Sequence, residues 1–211
     1  MKDILLLTPP FTQLNTPYPA TAYLKGFLNT KQISSCQMDL GIEVILRLFS
    51  KAGLQNAFQI AKIQAVKPSE NANRIIALQN DYITSIDVVI EFLQGKNPSL
   101  ARQICLGKYL PEASRFDNLE ELDWAFGNMG LRDKATHLAT LFLEDLSDFI
   151  VECVDEDFGF SRYAERIGRS ANTFDEINAK LKTELSLIDQ LSIEILKDRI
   201  ETEQPKLLCM S

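Results

Sequence analysis

Histidine is nearly missing: His137 is the single one in 211 residues. With one imidazole and no G-x-S-x-G elbow, no Ser/His/Asp or Cys/His nucleophile constellation is proposed. Cysteine is sparse as well. Cys36, Cys105, Cys153 and Cys209 are widely separated and form no C-x-x-C or C-x-x-x-C pair, so reduced, mostly buried thiols are expected. No segment approaches the ~20 uninterrupted apolar residues of a membrane helix, and Ile4 to Leu7, stopped by Thr8-Pro9-Pro10, is too short for a signal peptide. A cytoplasmic chain is expected, with no membrane partner. Basic side chains number 22 against 29 acidic, a net charge of −7, and no basic stripe carries interleaved aromatics. Nucleic acid is therefore not an expected partner. What remains is 45% hydrophobic and 24% charged, the balance of a folded chain rather than a disordered one.

Periodicity divides the chain unequally. Lys2 to Thr8 is a compact apolar run ending at a Pro-Pro turn and predicts a buried strand. From Pro19 to about Thr30, Ala20, Tyr23, Leu24, Phe27 and Leu28 recur at helical spacing, with Pro19 suited to a first turn. Ile33 to Leu40 alternates Cys36, Met38 and Leu40 with Gln37 and Asp39, the period of a strand. Strand, helix and strand in about forty residues is the size of a βαβ unit in a parallel sheet.

From Ile42 to Gln204 every pattern is helical, about six or seven helices in all. One stripe runs Ile75, Leu78, Tyr82, Ile86, Val89, Leu93. A second runs Leu131, Ala135, Leu138, Phe142, Phe149, Cys153, and a third Ile177, Leu181, Ile188, Leu191, Ile195, opened by a Thr173–Glu176 capping box. Pro205 stops the last helix, and Lys206 to Ser211 reads as a third short strand.

The fold class expected is α/β and predominantly α: a partial Rossmann-like parallel sheet, with strands near 2–8, 33–40 and 205–210, and a large all-helical insertion. Residues 1–41 and 205–211 would form the sheet portion and 42–204 the insertion. A final parallel strand with no helix to cover it leaves apolar edges open to water, so the expectation is the opening section of a longer polypeptide.

Open parallel sheets bind ligands beyond the carboxyl ends of their strands, which directs attention to Thr8 to Tyr18. That loop offers hydroxyls, amides and aromatics on a proline-stiffened backbone, a wall suited to a planar or amide-decorated cofactor. It has no glycine, which argues against a dinucleotide fingerprint, a P-loop or a flavodoxin-like phosphate loop. A plain connecting loop rich in turn formers is the alternative.

The run Ile4-Leu5-Leu6-Leu7-Thr8-Pro9-Pro10-Phe11, then Pro17, Ala22-Tyr23-Leu24 and Leu28, then Met38-Asp39-Leu40, resembles the amino-terminal cobalamin-binding domain of cobalamin-dependent radical S-adenosylmethionine enzymes. In that family a proline-rich loop leads to a helix opening Pro-x-x-Gly-x-x-Tyr-Leu, and the second strand ends on Asp-Leu. Pro17, Tyr23, Leu24 and Asp39 match; Ala20 stands where glycine is usual. Pro205 to Ser211 resembles the third strand. The matches cover the first forty residues and the last seven and say nothing of the helices between. The resemblance implies a corrinoid partner held near the sheet by Thr8, Pro9, Pro10, Phe11, Asn15, Thr16 and Pro17. It also implies a barrel, carried by the rest of the polypeptide, with a [4Fe-4S] cluster and S-adenosylmethionine for radical-initiated methyl transfer or a related reaction. The cluster needs Cys-x-x-x-Cys-x-x-Cys, which this sequence lacks, so these residues alone would be inactive. No Asp-x-His-x-x-Gly motif offers an imidazole to cobalt.

Other patterns have plainer explanations. Asp133, His137 and Glu144 could share a helical face and mimic a metal or acid–base site, but a solvated or capping pair is the ordinary outcome. Asp157-Phe158-Gly159 spells the kinase metal tripeptide without its companions and predicts a helix-ending turn. Glu152, Asp155, Glu156 and Asp157 lack EF-hand spacing and predict a solvated rim. Leu122, Trp124 and Phe126 suit a core more than a pocket. The competing functional expectation is a helical protein-interaction or regulatory domain with no cofactor.

Overall fold

A computed structural model describes residues 2–10, 18–64, 67–117, 119, 130–160 and 174–210. The chain is mostly helical, with a small parallel sheet, and falls into two compact units. One comprises Met1–Arg47 with Asp157–Ser211, the other Leu48–Glu156. The helix after the second strand and the last helix of the chain thus group with the sheet, whereas periodicity alone sets the sheet portion at 1–41 and 205–211.

In the sheet unit β1 (Ile4–Thr8) lies between β2 (Ser35–Asp39) and β3 (Leu207–Met210), parallel to both. The register pairs Leu5 with Cys36 and Leu208, and Thr8 with Asp39. Leu5, Leu6, Leu7 and Thr8 are all buried, as befits a central parallel strand covered on both faces, and this is why β1 reads as a continuous apolar run. All three expected strands form, each shorter by a residue or more at its ends.

Helix α1 (Ala20–Thr30) starts at Pro19, whose carbonyl accepts the Tyr23 N–H at 3.0 Å. Its apolar stripe does not face the core. Tyr23 is 77% and Phe27 58% exposed, Leu24 is also exposed, and Thr21 is the one buried residue of the helix. The inward face is instead Thr21 with Lys25 and Leu28 partly covered, a different set of i, i+4, i+7 positions. Helix α2 (Leu40–Leu48) follows β2 directly.

The helical unit holds α3 (Lys51–Ile63), α4 (Glu70–Ala77), α5 (Gln79–Leu93), α6 (Leu100–Cys105), a 3₁₀ turn at Ser114–Phe116, and α7 (Leu131–Cys153). Ser50 and Ser69 cap α3 and α4, each accepting a backbone N–H at 3.1 Å. Tyr82 stacks on Phe142 at 5.1 Å and Phe58 tilts against Phe149 at 4.7 Å, so α7 gathers α3 and α5 about one aromatic core. The first expected stripe is broken at Leu78, where α4 ends and α5 begins. Gly95, at φ 76°, ends α5 in the left-handed conformation that suits glycine.

The third stripe is also two helices, α8 (Phe174–Lys180) and α9 (Leu187–Glu203), both in the sheet unit. Leu181, expected to be covered, is 74% exposed. The Thr173–Glu176 capping box lies outside the described residues and side chains. A capping box does open α9, between Ser186 and Asp189. Eight α-helices thus occupy 40–204 among the described residues, more than the six or seven read from spacing, because the two long stripes are interrupted.

Candidate functional site

At the carboxyl end of the sheet Thr8 closes β1, followed by Pro9 and Pro10, both half-buried. Thr8 is 1% exposed and belongs to the strand rather than to the loop beyond it. Phe11, Asn15, Thr16 and Pro17, the rest of the expected cofactor contacts, lie outside the described residues. Beside Thr8, Asp39 ends β2, and its Oδ1 accepts the Ile42 N–H at 3.1 Å, capping the first turn of α2. On the other flank β3 is exposed along its length: Leu207 is 61% and Met210 70% open to solvent.

The opposite end of the sheet is pinned by charge. Lys206 Nζ donates to Asp3 Oδ1 at 2.7 Å, and the Lys206 and Leu207 N–H groups reach the Asp3 carbonyl. The Lys206 hydrogen bond and charge hold the Asp3 carboxyl below its ordinary value. Arg199 Nη2 donates to Glu43 Oε1 at 2.7 Å, tying α9 to α2.

The decoys separate. Glu144 is drawn to Arg115 at 3.5 Å, and among the described residues no three His, Cys, Asp or Glu side chains gather as a metal site. Asp157-Phe158-Gly159 is a turn beyond the end of α7, with the buried Phe158 ring edge-on to Phe160 at 5.7 Å. Glu152 is more than a solvated rim: it accepts the Ser69 N–H and, at 2.7 Å, the Ser69 hydroxyl, bracing the start of α4. Leu122, Trp124 and Phe126 lie outside the described residues. The thiols are free, but mostly buried they are not: Cys153 is buried, Cys36 and Cys105 partly so, and Cys209 exposed.

One constellation in the helical unit escaped the sequence. Asp145, fully buried on α7, accepts the Ala113 N–H and the Arg115 N–H, each at 3.0 Å. Desolvation outweighs both bonds and raises its carboxyl above the ordinary range. Tyr82 is buried with its hydroxyl unpaired, and burial pushes the phenol far up. Arg115 in turn clasps Asp148 through two hydrogen bonds of 2.7 and 2.9 Å. The signal was an acid at 145 within the Leu138, Phe142, Phe149 stripe. This cluster fastens a loop to a helix.

Comparison with family models, curated proteins and solved structures finds no match to this chain. Among the described residues no helix is long and apolar enough to cross a membrane.

Proposed function

We propose that the sheet unit is a Rossmann-like corrinoid-binding domain of the kind found at the front of cobalamin-dependent radical S-adenosylmethionine enzymes. The observation that carries the reading is the parallel order β2-β1-β3, which reverses direction at β1 just where that strand leaves the sheet through Thr8-Pro9-Pro10. Open parallel sheets take ligands at such a point. The donor set suits a macrocycle held by its faces and amides. Leu208 and Met210, two apart and so on one face of the strand beside β1, are apolar and exposed. The single histidine of the chain lies in the other unit, so no imidazole of the sheet unit reaches cobalt.

In this reading Thr8 anchors the loop by its place in the sheet, and Pro9 and Pro10 stiffen the exit so that the following residues meet the ligand with little entropy to lose. The resemblance adds Phe11, Asn15, Thr16 and Pro17, which lie outside the described residues, to the expected contacts. When bound, the corrinoid supplies methyl-transfer chemistry at cobalt. The iron–sulfur cluster and S-adenosylmethionine are assigned to chain outside these 211 residues, which hold no Cys-x-x-x-Cys-x-x-Cys run. Four free thiols fit a reducing, cytoplasmic setting.

Titration of the full chain with hydroxocobalamin, followed in the visible spectrum and by co-elution in gel filtration, tests this. The expected result is saturation at one equivalent with a midpoint below about 50 μM. An unchanged spectrum and separate elution would move the reading to a cofactor-free helical interaction domain.

A further inference from the structure

In the helical unit, one face of α5 and the stretch that follows α6 border a recess of about 360 Å³. That lies at the lower end of the roughly 300–1,000 Å³ typical of small-ligand sites. Asp81, Thr84 and Ser85 line it from α5, at the i, i+3 and i+4 positions of a single helical face. The Thr84 and Ser85 hydroxyls each donate at 2.7 Å to the main-chain carbonyl one turn back, that of Asn80 and of Asp81. A hydroxyl whose proton is committed in this way meets a ligand as an acceptor. With the Asp81 carboxylate the face therefore offers three acceptor groups, as many as an alkylammonium has N–H donors.

The rest of the described lining comes from residues 108–111. Lys108 stands at φ 66°, directly after Gly107 at 74°, in a left-handed conformation that glycine takes freely and lysine rarely does. Backbone strain of this kind gathers at ligand sites. Asp81 and Lys108 are both exposed and both line the recess, yet no ion pair joins them, and neither has another ion-pair partner among the described residues. Beside them Tyr109 is half-buried and Leu110 and Pro111 are buried, which gives the recess an apolar wall. Opposite charges that share a recess without closing on each other, next to such a wall, are the complement of a zwitterion with an apolar body.

We propose that this recess binds an α-amino acid with an apolar side chain. Its ammonium lies at Asp81, Thr84 and Ser85, its carboxylate at Lys108, and its side chain against Tyr109, Leu110 and Pro111. The site is separate from the corrinoid reading and stands or falls without it.

The test is calorimetric titration of the full chain with L-leucine, set against 3-methylbutylamine and 4-methylpentanoate, which keep the hydrocarbon and one charge each. L-leucine is expected to bind at one equivalent with a dissociation constant below about 1 mM, and each analogue at least about tenfold more weakly. Asp81→Asn, on the exposed side of α5, should weaken leucine binding at least about tenfold. Lys108→Gly should weaken it as much while holding or raising the urea midpoint, because glycine suits the backbone that strains lysine. Should Asp81→Asn unfold, Lys108→Gly decides alone. No saturable binding of L-leucine up to about 10 mM, an analogue that binds as tightly as leucine, or undiminished binding by the Lys108→Gly variant would overturn the proposal.

Discussion

Asp145 and Tyr82 are two buried polar side chains in the helical unit with opposite roles. The Asp145 carboxylate accepts from two backbone N–H groups, that of Ala113 buried and that of Arg115 partly so. Asp145→Ala is expected to cost about 1–3 kcal/mol in urea unfolding, since the buried Ala113 donor is left unpaired. Its raised pKa sets the sign with pH. The contribution is whole below the ordinary value of 3.8 and is lost as pH rises through the folded value, so the gap between wild type and Asp145→Ala should narrow as pH climbs above 3.8. Tyr82 is the reverse case, a buried hydroxyl with no partner. Tyr82→Phe should keep the ring stack on Phe142 and leave stability within about 0.5 kcal/mol of wild type or above it. A loss above about 1 kcal/mol would reveal a bond made by that hydroxyl. Neither role is written in the sequence, because an acid or a phenol on an apolar stripe reads the same whether its polar end finds a partner or not.

Strands were more legible than helices. β1 is apolar without alternation because both its faces are covered, and Pro9-Pro10 stops it, so its type and limit are local properties. The breaks at Leu78 and at 181–186 carry neither glycine nor proline, and a spacing pattern runs through both unhindered. The start of α9 was nonetheless readable in Ser186-Leu187-Ile188-Asp189, whose capping box forms. The α1 stripe misled for another reason: helical spacing locates an apolar face without saying what covers it, and Tyr23 and Phe27 are left in solvent. At the sheet's start Asp3 binds Lys206 and thereby fixes β3 on β1. Its lowered pKa means that this stabilisation is present above the ordinary carboxylate value of 3.8 and is lost as pH falls through the folded value. Asp3→Asn should therefore lower the urea midpoint and speed amide exchange at Leu207 to Met210 at pH 7, and should match wild type in strong acid.

The whole chain joins a sheet unit and a helical unit by passing from β2 through the helices and returning to β3, so residues far apart in sequence share one sheet. The first forty residues carry the resemblance on which the corrinoid reading rests. Of the site expected there, Thr8, Pro9 and Pro10 are in view at the carboxyl end of β1, and Asp39 stands beside them in register. The helical unit offered no comparable guide, because the contacts that fasten its 113–115 loop to Asp145 join positions too far apart in sequence for any spacing to bring together.

If, as proposed, the carboxyl end of this sheet holds a corrinoid, amide hydrogen exchange of the full chain with and without hydroxocobalamin reads both the binding and its place. Slowed exchange confined to peptides spanning Leu5 to Tyr18 and Leu207 to Met210, with Leu48–Glu156 unchanged, is the predicted result. Exchange unaltered throughout, or altered in the helical unit alone, would contradict it.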